Sequence, residues 1–404
     1  MRCHKIATHA SSYAALAICA MLFATAPSAR PQDRKGPESS APTRLYTPQN
    51  QLAAAAAKAA SARPPRANPA ATPNAAKFIS FDVPAAANGT YPLGINNAGA
   101  VTGYYTDANY MNHGFLRTAG GNFTTFDVPG GAQGTYPEAI DSHATITGHY
   151  CEANALCHGF TRSSDGLIAT FDPADIAGTY PLSISKGMIA GYYYDADYVG
   201  RGFVRGSNGS LVTFEVPGAL NGTYAASVSS GFVAGAYVDA SYVTHGFLRA
   251  NGHVTTFDPP GAMGFYAPYS YGPGVGVNSA GTVVGTFFET IAGNPFGGNY
   301  RGYVRSSSGN YTTFDATTDQ FCCLWTFAYN VNTLGVVTGS YNDSSSINHG
   351  FTMTPGGTIT LLDAPAAGTG FNQGTVPLSI NDTGVLAGFY IDSNYVYHGF
   401  VYKP

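Results

Sequence analysis

The sequence predicts an all-β protein, a seven-bladed β-propeller of four-stranded antiparallel blades in which an N-terminal strand closes the last blade. Three observations predict it: a repeat of about 45 residues, short strand-like runs between glycine-rich turns, and incomplete repeats at both ends of the repeat region. The composition agrees, because 50 glycines suit turns and an aromatic content of 13% suits strands. Long helices would need more Leu, Glu, Lys and Ala at helical spacing.

Two short motifs mark each repeat, Phe-Asp and His-Gly-Phe. The first copy has them at Phe81-Asp82 and His113-Gly114-Phe115. The Phe-Asp motif recurs, with Glu215 once replacing Asp, at Phe126, Phe171, Phe214, Phe257, Phe314 and Leu362. The His-Gly-Phe motif recurs, with Tyr303 once replacing Phe, at His158, Arg201, His245, Arg301, His349 and His398. Seven copies of one unit therefore follow each other along the chain.

Each unit divides into four strands. In residues 91–128, Asn-x-x-Gly and Gly-Gly turns and one loop separate four runs, Tyr91–Asn96, Ala100–Asp107, His113–Thr118 and Asn122–Val128. Such turns between short β-rich runs are typical of antiparallel hairpins. Four consecutive antiparallel strands of this length make one propeller blade.

The ends of the repeat region predict how the ring closes. The last unit stops in its third strand, at His398–Tyr402. The segment Phe78–Pro84 matches the fourth-strand pattern of residues 123–129. We therefore expect Phe78–Val83 to complete the seventh blade.

The repeat unit, with its His-Gly-Phe motif, resembles the bacterial extracellular HAF repeats, which are named for a His-Ala-Phe motif. The resemblance covers residues 78–404. It implies secretion and a repeated β architecture. No activity is established for that family, so the resemblance implies no catalytic residue.

Composition divides the chain into three segments. Arg2 and Lys5 precede an apolar run over residues 14–26, which predicts a signal peptide over 1–29 and secretion to the periplasm or the exterior. That run is too short for a permanent transmembrane anchor. Residues 30–76, rich in Ala, Pro, Ser and Arg, are predicted to be a disordered linker, and residues 77–404 the propeller.

The charge of the predicted propeller argues against nucleic acid as a partner. From Lys77 onward there are ten Lys and Arg residues against 21 Asp and Glu residues, a net charge near −11. Binding to phosphates needs a basic surface. We expect a monomer with no cofactor and no metal.

An acidic residue precedes each recurring base by six residues, or by twelve in the fifth unit. The acid ends the second strand and the base begins the third, so we expect a cross-strand ion pair on each blade. Arg replaces His twice, and Arg offers no lone pair, so a structural role is favoured over a metal ligand or a general base. The predicted pairs are Asp107–His113, Glu152–His158, Asp195–Arg201, Asp239–His245, Glu289–Arg301, Asp343–His349 and Asp392–His398.

The acidic hairpin tips have a second interpretation. Asp195-Ala196-Asp197 and similar tips resemble part of a calcium loop, but they lack the longer series of oxygen ligands and the glycine. Asp and Asn also cap tight turns through their own backbone. Turn capping is the favoured interpretation and calcium binding the alternative.

The cysteines allow disulfides, since a secreted protein meets an oxidising environment. Cys151 and Cys157 flank the hairpin loop of the second unit and are expected to form a disulfide. A zinc site with His149 and His158 is the alternative. The adjacent pair Cys322-Cys323 is either a vicinal disulfide or two free thiols.

Four connections are longer than in the template, and all four lie over units five to seven. They join strand four to the next strand one, or strand two to strand three, and both kinds emerge on one face of an up-and-down blade. We name it the long-loop face. Its aromatic and polar residues predict a ligand-binding surface, with loops that merely pack over the channel mouth as the alternative. The candidate residues are Tyr266, Tyr269, Tyr271, Phe296, Tyr300, Trp325, Phe371, Asn372 and Gln373.

These observations favour a secreted, non-catalytic propeller that binds a glycan on the long-loop face. A sugar ring stacks on an aromatic face while its hydroxyls need polar partners. One alternative is a cell-envelope scaffold that binds another protein. The other is a propeller polysaccharide lyase or hydrolase, for which the sequence offers only the scattered candidates Asp319, Glu289 and His253.

Overall fold

The computed structural model describes residues 77–174, 176–264, 274–290, 298–317 and 325–404. These residues form 28 β-strands and contain no helix, so none of them belongs to a helix that could cross a membrane. The first strands of the blades are β2 Thr90–Ile95, β6 Thr135–Ile140, β10 Ile176–Ser185, β14 Thr223–Ser229, β18 Val275–Val277, β22 Trp325–Val331 and β26 Gly374–Ile380. The second strands are β3 Val101–Thr106, β7 Ile146–Cys151, β11 Met188–Asp195, β15 Phe232–Val238, β19 Val283–Thr290, β23 Val337–Asn342 and β27 Leu386–Ile391.

The outer half of each blade follows the same order. The third strands are β4 Asn112–Arg117, β8 Cys157–Arg162, β12 Gly200–Arg205, β16 Thr244–Ala250, β20 Gly298–Arg305, β24 Asn348–Met353 and β28 Tyr397–Lys403. The fourth strands are β5 Phe123–Phe126, β9 Ile168–Phe171, β13 Leu211–Phe214, β17 His253–Phe257, β21 Tyr311–Phe314, β25 Ile359–Leu362 and β1 Lys77–Phe81.

Strand pairing arranges these strands in antiparallel sets of four, each in chain order except the set β26, β27, β28 and β1. The predicted all-β propeller class is thereby confirmed. The predicted strands of the first unit agree with the observed ones within two residues. The fourth strand ends before Val128 because the Val128 N–H donates to Thr135 Oγ1 of the next blade at 3.0 Å.

The N-terminal strand occupies the outer position of the last blade, as the sequence predicted. β1 pairs antiparallel with β28 from Lys77 opposite Lys403 to Phe81 opposite Gly399. The ring of Phe78 packs against Phe400 and Tyr402, with ring centroids 5.4 and 4.8 Å apart. This pairing closes the ring of blades.

The phenylalanines of the two repeat motifs hold neighbouring blades together. The aromatic residue of each His-Gly-Phe motif is at most 1% exposed. Phe126 of the first blade meets Phe160 of the second at 6.2 Å and 73°, and Phe171 meets Phe203 at 6.0 Å and 76°. Such edge-to-face pairs are favourable beyond the apolar area they bury. Arg162 adds a cation–π contact, with its guanidinium 4.8 Å from the Phe126 ring.

A β-bulge interrupts the pairing of most first strands. The bulged residues are Leu93, Glu138, Leu182, Ala226, Tyr329 and Leu378. The second strand approaches so closely here that a Cβ on Gly103 would overlap the Tyr91 carbonyl oxygen. A bulge redirects the side chain of its extra residue.

Side-chain amides join the blades around the channel, at the turns between first and second strands. Asn278 donates to the Asn332 carbonyl at 3.0 Å, Asn332 to Asn381 at 3.1 Å, Asn381 to Asn96 at 3.0 Å, and Asn96 to Asp141 at 3.0 Å. We name this chain of contacts the amide ring. It links blades five, six, seven, one and two in order.

We expect the chain to lose thermal stability when β1 is removed. A variant that starts at Pro84 should melt at a lower temperature than one that starts at Lys77, because β28 then has an unpaired edge and Phe400 loses its cover. Calorimetry on the two variants isolates the strand, since they differ only in residues 77–83. Equal melting temperatures would contradict closure by β1.

Candidate functional site

Each recurring base lies between two carboxyl groups. In the first blade, His113 Nε2 is 3.5 Å from Asp107 Oδ2, and His113 Nδ1 is 2.9 Å from Asp127 Oδ1. The predicted partners lie within 3.6 Å of each other on every blade. The second carboxyl group, which the Phe-Asp motif supplies, was not predicted from the sequence. The second partners are Asp127, Asp172, Glu215, Asp258, Asp315, Asp363 and Asp82.

The acid that ends the second strand also caps its hairpin. Asp107 Oδ1 accepts from the backbone N–H of Asn109 at 2.8 Å and of Met111 at 2.9 Å. These backbone hydrogen bonds, with that from Met111 the strongest influence, lower the pKa of Asp107. The same capping recurs at Asp195, Asp239 and Asp392. In the described residues, no group of three His, Cys, Asp or Glu side chains is arranged to hold a metal ion.

The predicted disulfide is present in the second blade. Cys151 and Cys157 lie opposite each other on β7 and β8, with an S–S distance of 2.02 Å. Both sulfurs are therefore used in the bond, which removes them as zinc ligands. Cys322 and Cys323 lie outside the described residues.

Two of the candidate binding residues come together on the long-loop face. Tyr300 and Trp325 are paired across neighbouring blades, and their rings meet edge to face at 5.8 Å. The Trp325 side chain is 41% exposed. Phe327, which the sequence analysis did not single out, stacks on Tyr300 at 5.8 Å. Tyr266, Tyr269, Tyr271 and Phe296 lie outside the described residues.

The seventh blade supplies one exposed aromatic residue and two residues that hold its loop. Phe371 is exposed, and Asn372 has a φ of 59°. Gln373 is only 4% exposed, and its Oε1 accepts from the Gly370 N–H at 2.7 Å. The Gln373 side chain is therefore used inside the loop, and its predicted role in ligand binding stays a prediction.

The two candidates for catalysis within the described residues, Glu289 and His253, lie on opposite faces of the propeller. Glu289 is the partner of Arg301, with Oε2 and Nη1 3.1 Å apart. His253 is exposed at the start of β17, in a turn of the opposite face. Asp319 lies outside the described residues.

Four tyrosines form a set that the sequence analysis missed. Tyr110, Tyr198, Tyr242 and Tyr395 lie at the tips of the hairpins between second and third strands, on blades one, three, four and seven. They are between 45% and 78% exposed. We name this set the tyrosine crown. The signal in the sequence was the recurring Asp-x-x-Tyr of these hairpins.

Each crown tyrosine has an unfavourable backbone conformation. Their φ angles are 60° to 64°, in the left-handed region that disfavours bulky side chains. The Asp-capped hairpin tip resembles the Asn-capped turn between first and second strands, where Asn96 Oδ1 accepts from the Ala100 N–H. There the left-handed residue is a glycine, Gly99, with a φ of 76°. Folding alone would therefore favour glycine at the crown positions.

All strongly exposed aromatic side chains of the described residues lie on the long-loop face. They are the crown tyrosines, Trp325 and Phe371. The other exposed large hydrophobic side chains in this part of the chain, such as Leu167 and Leu334, are not aromatic. The long-loop face thus differs chemically from the rest of the surface.

No family model matches the sequence, and no curated protein matches it. Solved structures resemble the fold. A streptogramin B lyase superposes with a TM-score of 0.51 and 13% identity over 81% of this chain and 97% of the lyase. The propeller domain of the Trilobed protease from Pyrococcus furiosus superposes with a TM-score of 0.52 and 8% identity, over 77% of this chain and 95% of that domain. The acylaminoacyl peptidase from Pyrococcus horikoshii superposes with a TM-score of 0.52 and 9% identity, over 78% of this chain and 51% of the peptidase.

At these identities the likeness shows the β-propeller fold and nothing further. The neighbours include enzymes, so the fold does not decide between catalysis and binding. The Pyrococcus furiosus domain is described as having an open velcro topology. In the present chain, by contrast, β1 pairs with β28.

We expect the blade ion pairs to make stability depend on pH. The hydrogen bond to Asp363, opposed by burial and helped by the charges of Asp363 and Asp343, raises the pKa of His349. The ion pair of His349 therefore contributes its full stabilisation of the folded state below about pH 6.5, the ordinary pKa of His. This stabilisation is lost as the pH rises through the pKa that His349 has in the folded state. In His349→Arg the base stays charged, so the free energy of unfolding should no longer fall over this pH range. The difference should be about 1 kcal/mol or less.

Urea denaturation of both proteins at acidic and alkaline pH measures the effect. Arg201 and Arg301 show that the fold accepts Arg at this position. His349→Ala is the control that loses the pair at every pH. An unchanged pH dependence in His349→Arg would contradict the assignment.

Proposed function

We propose that this protein is a secreted, non-catalytic propeller that binds an extended glycan on its long-loop face. The observation that carries the proposal is the tyrosine crown, in which exposed aromatic rings occupy positions of unfavourable backbone conformation. Residues kept in a strained conformation are concentrated at functional sites. The Cys151–Cys157 disulfide supports a location outside the cytoplasm.

The composition of the hairpin tips favours a carbohydrate. Beside each crown tyrosine is a small polar residue, namely Asn109, Asp197, Ser241 and Asn394. A sugar presents C–H groups that pack on an aromatic face and hydroxyls that need hydrogen-bonding partners. A flat protein surface would be matched better by one continuous apolar patch than by separate rings on separate blades.

The arrangement also favours a polymer over a single sugar. An exposed ring on one hairpin tip supplies only one stacking contact. Four tips on one rigid scaffold allow a chain of sugars to engage several contacts at once, and linked contacts raise the overall affinity steeply. Trp325 and Tyr300 add a fifth aromatic position between blades five and six.

We expect saturable binding of the full protein to polysaccharides on a broad glycan array, with and without calcium. Because the contacts act together, Tyr198→Gly should weaken binding a few-fold and the combined Tyr110, Tyr198, Tyr242 and Tyr395 to Gly variant by about 100-fold or more. Trp325→Ala should weaken it independently of the crown.

Leu167→Ala and Leu334→Ala, on the opposite face, are matched controls that should bind as the parent does. A folded parent that binds no glycan, or a fourfold variant with undiminished binding, would contradict the proposal. Capture of an envelope protein that is lost in the fourfold variant would point to the scaffold function instead.

Stability should change in the direction opposite to binding. Tyr198→Gly and Tyr242→Gly should raise the free energy of unfolding, or leave it unchanged, because a left-handed residue other than glycine carries a penalty of about 1–2 kcal/mol. Denaturation of each variant measures this. Tyr198→Ala retains the unfavourable conformation and serves as the control. If both glycine variants are clearly destabilised, the tyrosines have a structural role.

A further inference from the structure

A single carboxyl group interrupts the apolar positions at the bulge of the first strands. The bulged residue is Leu93 in the first blade and Leu182 in the third, and both line a cavity in the channel. In the second blade the same position is Glu138, which also lines this cavity. Leucine at this position is sufficient for packing in the first and third blades, so packing does not explain a carboxyl group in the second.

A second departure from the repeat lies beside the first. The residue opposite the first-strand tyrosine is Tyr104 in the first blade and Tyr192 in the third. In the second blade it is His149, opposite Tyr136. Two polar replacements on adjacent strands of one blade thus fall at one place.

The two side chains form a confined pair. His149 Nδ1 is 3.5 Å from Glu138 Oε1, and the side chains are only 15% and 18% exposed. The His149 ring stacks on Tyr136 at 4.8 Å and meets the edge of Tyr180 at 5.2 Å. His149 Nδ1 is buried and has no hydrogen-bond partner in the described structure. The Nδ1 atom of His149 is therefore still able to form a hydrogen bond.

The cavity that Glu138 lines is large enough to admit a small molecule. Its volume is about 400 Å³, and the ends of the first strands of all seven blades line it. Its other charged residues are Asp141, Asp382 and Lys186. Burial tends to raise the pKa of Asp382, but hydrogen bonds from Thr333 lower it overall, so this carboxylate is ionised. The lining is therefore richer in acidic than in basic groups.

We propose that the channel binds a small organic ammonium ion, with Glu138 as its counter-ion. The carboxylate would accept an N–H bond from the ammonium group, and the acidic lining would attract the cation. The tyrosine crown lies on the other face, so this proposal does not depend on glycan binding.

The protonation states make binding measurable. Burial raises the pKa of Glu138 to about 8 and lowers the pKa of His149 to about 4, so without ligand both are neutral at neutral pH. The phenols of Tyr136 and Tyr192, which face the pair, have raised pKa values and stay neutral too. An ammonium ion that pairs with Glu138 breaks the carboxyl O–H bond, and the proton passes to the buffer.

Titration calorimetry of the full protein with n-butylammonium chloride tests this. Near pH 6.5, in two anionic buffers of different ionisation enthalpy, we expect saturable binding with about one proton released per ion bound. The release should disappear above about pH 9, where Glu138 is already ionised. Acetate and n-butanol serve as the anionic and neutral probes and should not bind.

Glu138→Gln should weaken butylammonium binding about tenfold or more and abolish proton release, since it keeps the shape but removes the charge. Glu152→Gln, in an outer ion pair of the same blade, should change neither. No saturable binding, binding without proton release, or equal binding by Glu138→Gln would each overturn the proposal. Glycan binding should be intact in Glu138→Gln, which separates the two proposals.

Glu138→Leu distinguishes a ligand site from a structural contact. Leu93 and Leu182 occupy the same position, so this variant should melt at a higher temperature than the parent. The raised pKa means that the carboxyl group loses favourable free energy as the pH rises from about 4.5 towards about 8. The gain in melting temperature should therefore be larger at pH 8 than at pH 5. A lower melting temperature would identify Glu138 as a structural residue and overturn the proposal.

Discussion

The contact between the phenylalanines of adjacent blades is the interaction on which the rest of this structure depends. A four-stranded sheet has two apolar faces, and a blade can bury both only between two neighbours. Phe126 on Phe160 and Phe171 on Phe203 repeat this burial around the ring. In this chain β1 supplies the outer strand of the last blade, so that blade is also complete when it packs between its two neighbours.

The two faces of the propeller follow from that constraint in different ways. On the amide-ring face, turns are short, glycine occupies most of the left-handed positions, and Asn side chains bond from blade to blade. On the long-loop face, most hairpins are capped by their own Asp, and a base lies between two carboxyl groups on every blade. The residues at the hairpin tips are thus relieved of a folding role, and a strained tyrosine is tolerated there.

Much of this arrangement could be predicted from the sequence, because strand and turn signals recur at a fixed period. The four strands of residues 91–128, the placement of β1, the acid–base pairs and the Cys151–Cys157 bond follow from local spacing. The second carboxyl group, from Asp127 and its equivalents, was missed because it lies 14 residues from His113 and comes close only through the pairing of β4 with β5.

The other contacts that were not predicted have the same cause. Gln373 looks like any exposed polar loop residue until its Oε1 is found bonded to the loop backbone. Glu138 and His149 are eleven positions apart in sequence, and only the register of β6 with β7 brings them together. Burial in the channel arises only when all the blades are assembled, so it cannot be predicted from the sequence of one blade.

The amide ring does not extend through blades three and four. Blades three and four have two-residue turns at Lys186-Gly187 and Ser230-Gly231 in place of the Asn-capped turn. In the described residues these blades are linked near the channel by the Val228 N–H, which donates to Ser183 Oγ at 3.1 Å. A closed ring has no intrinsic beginning, so its termini can be relocated by circular permutation. Blade four is joined to its neighbours near the channel by such serine contacts and not by the amide ring, so new chain ends at its two junctions would interrupt no contact of the amide ring.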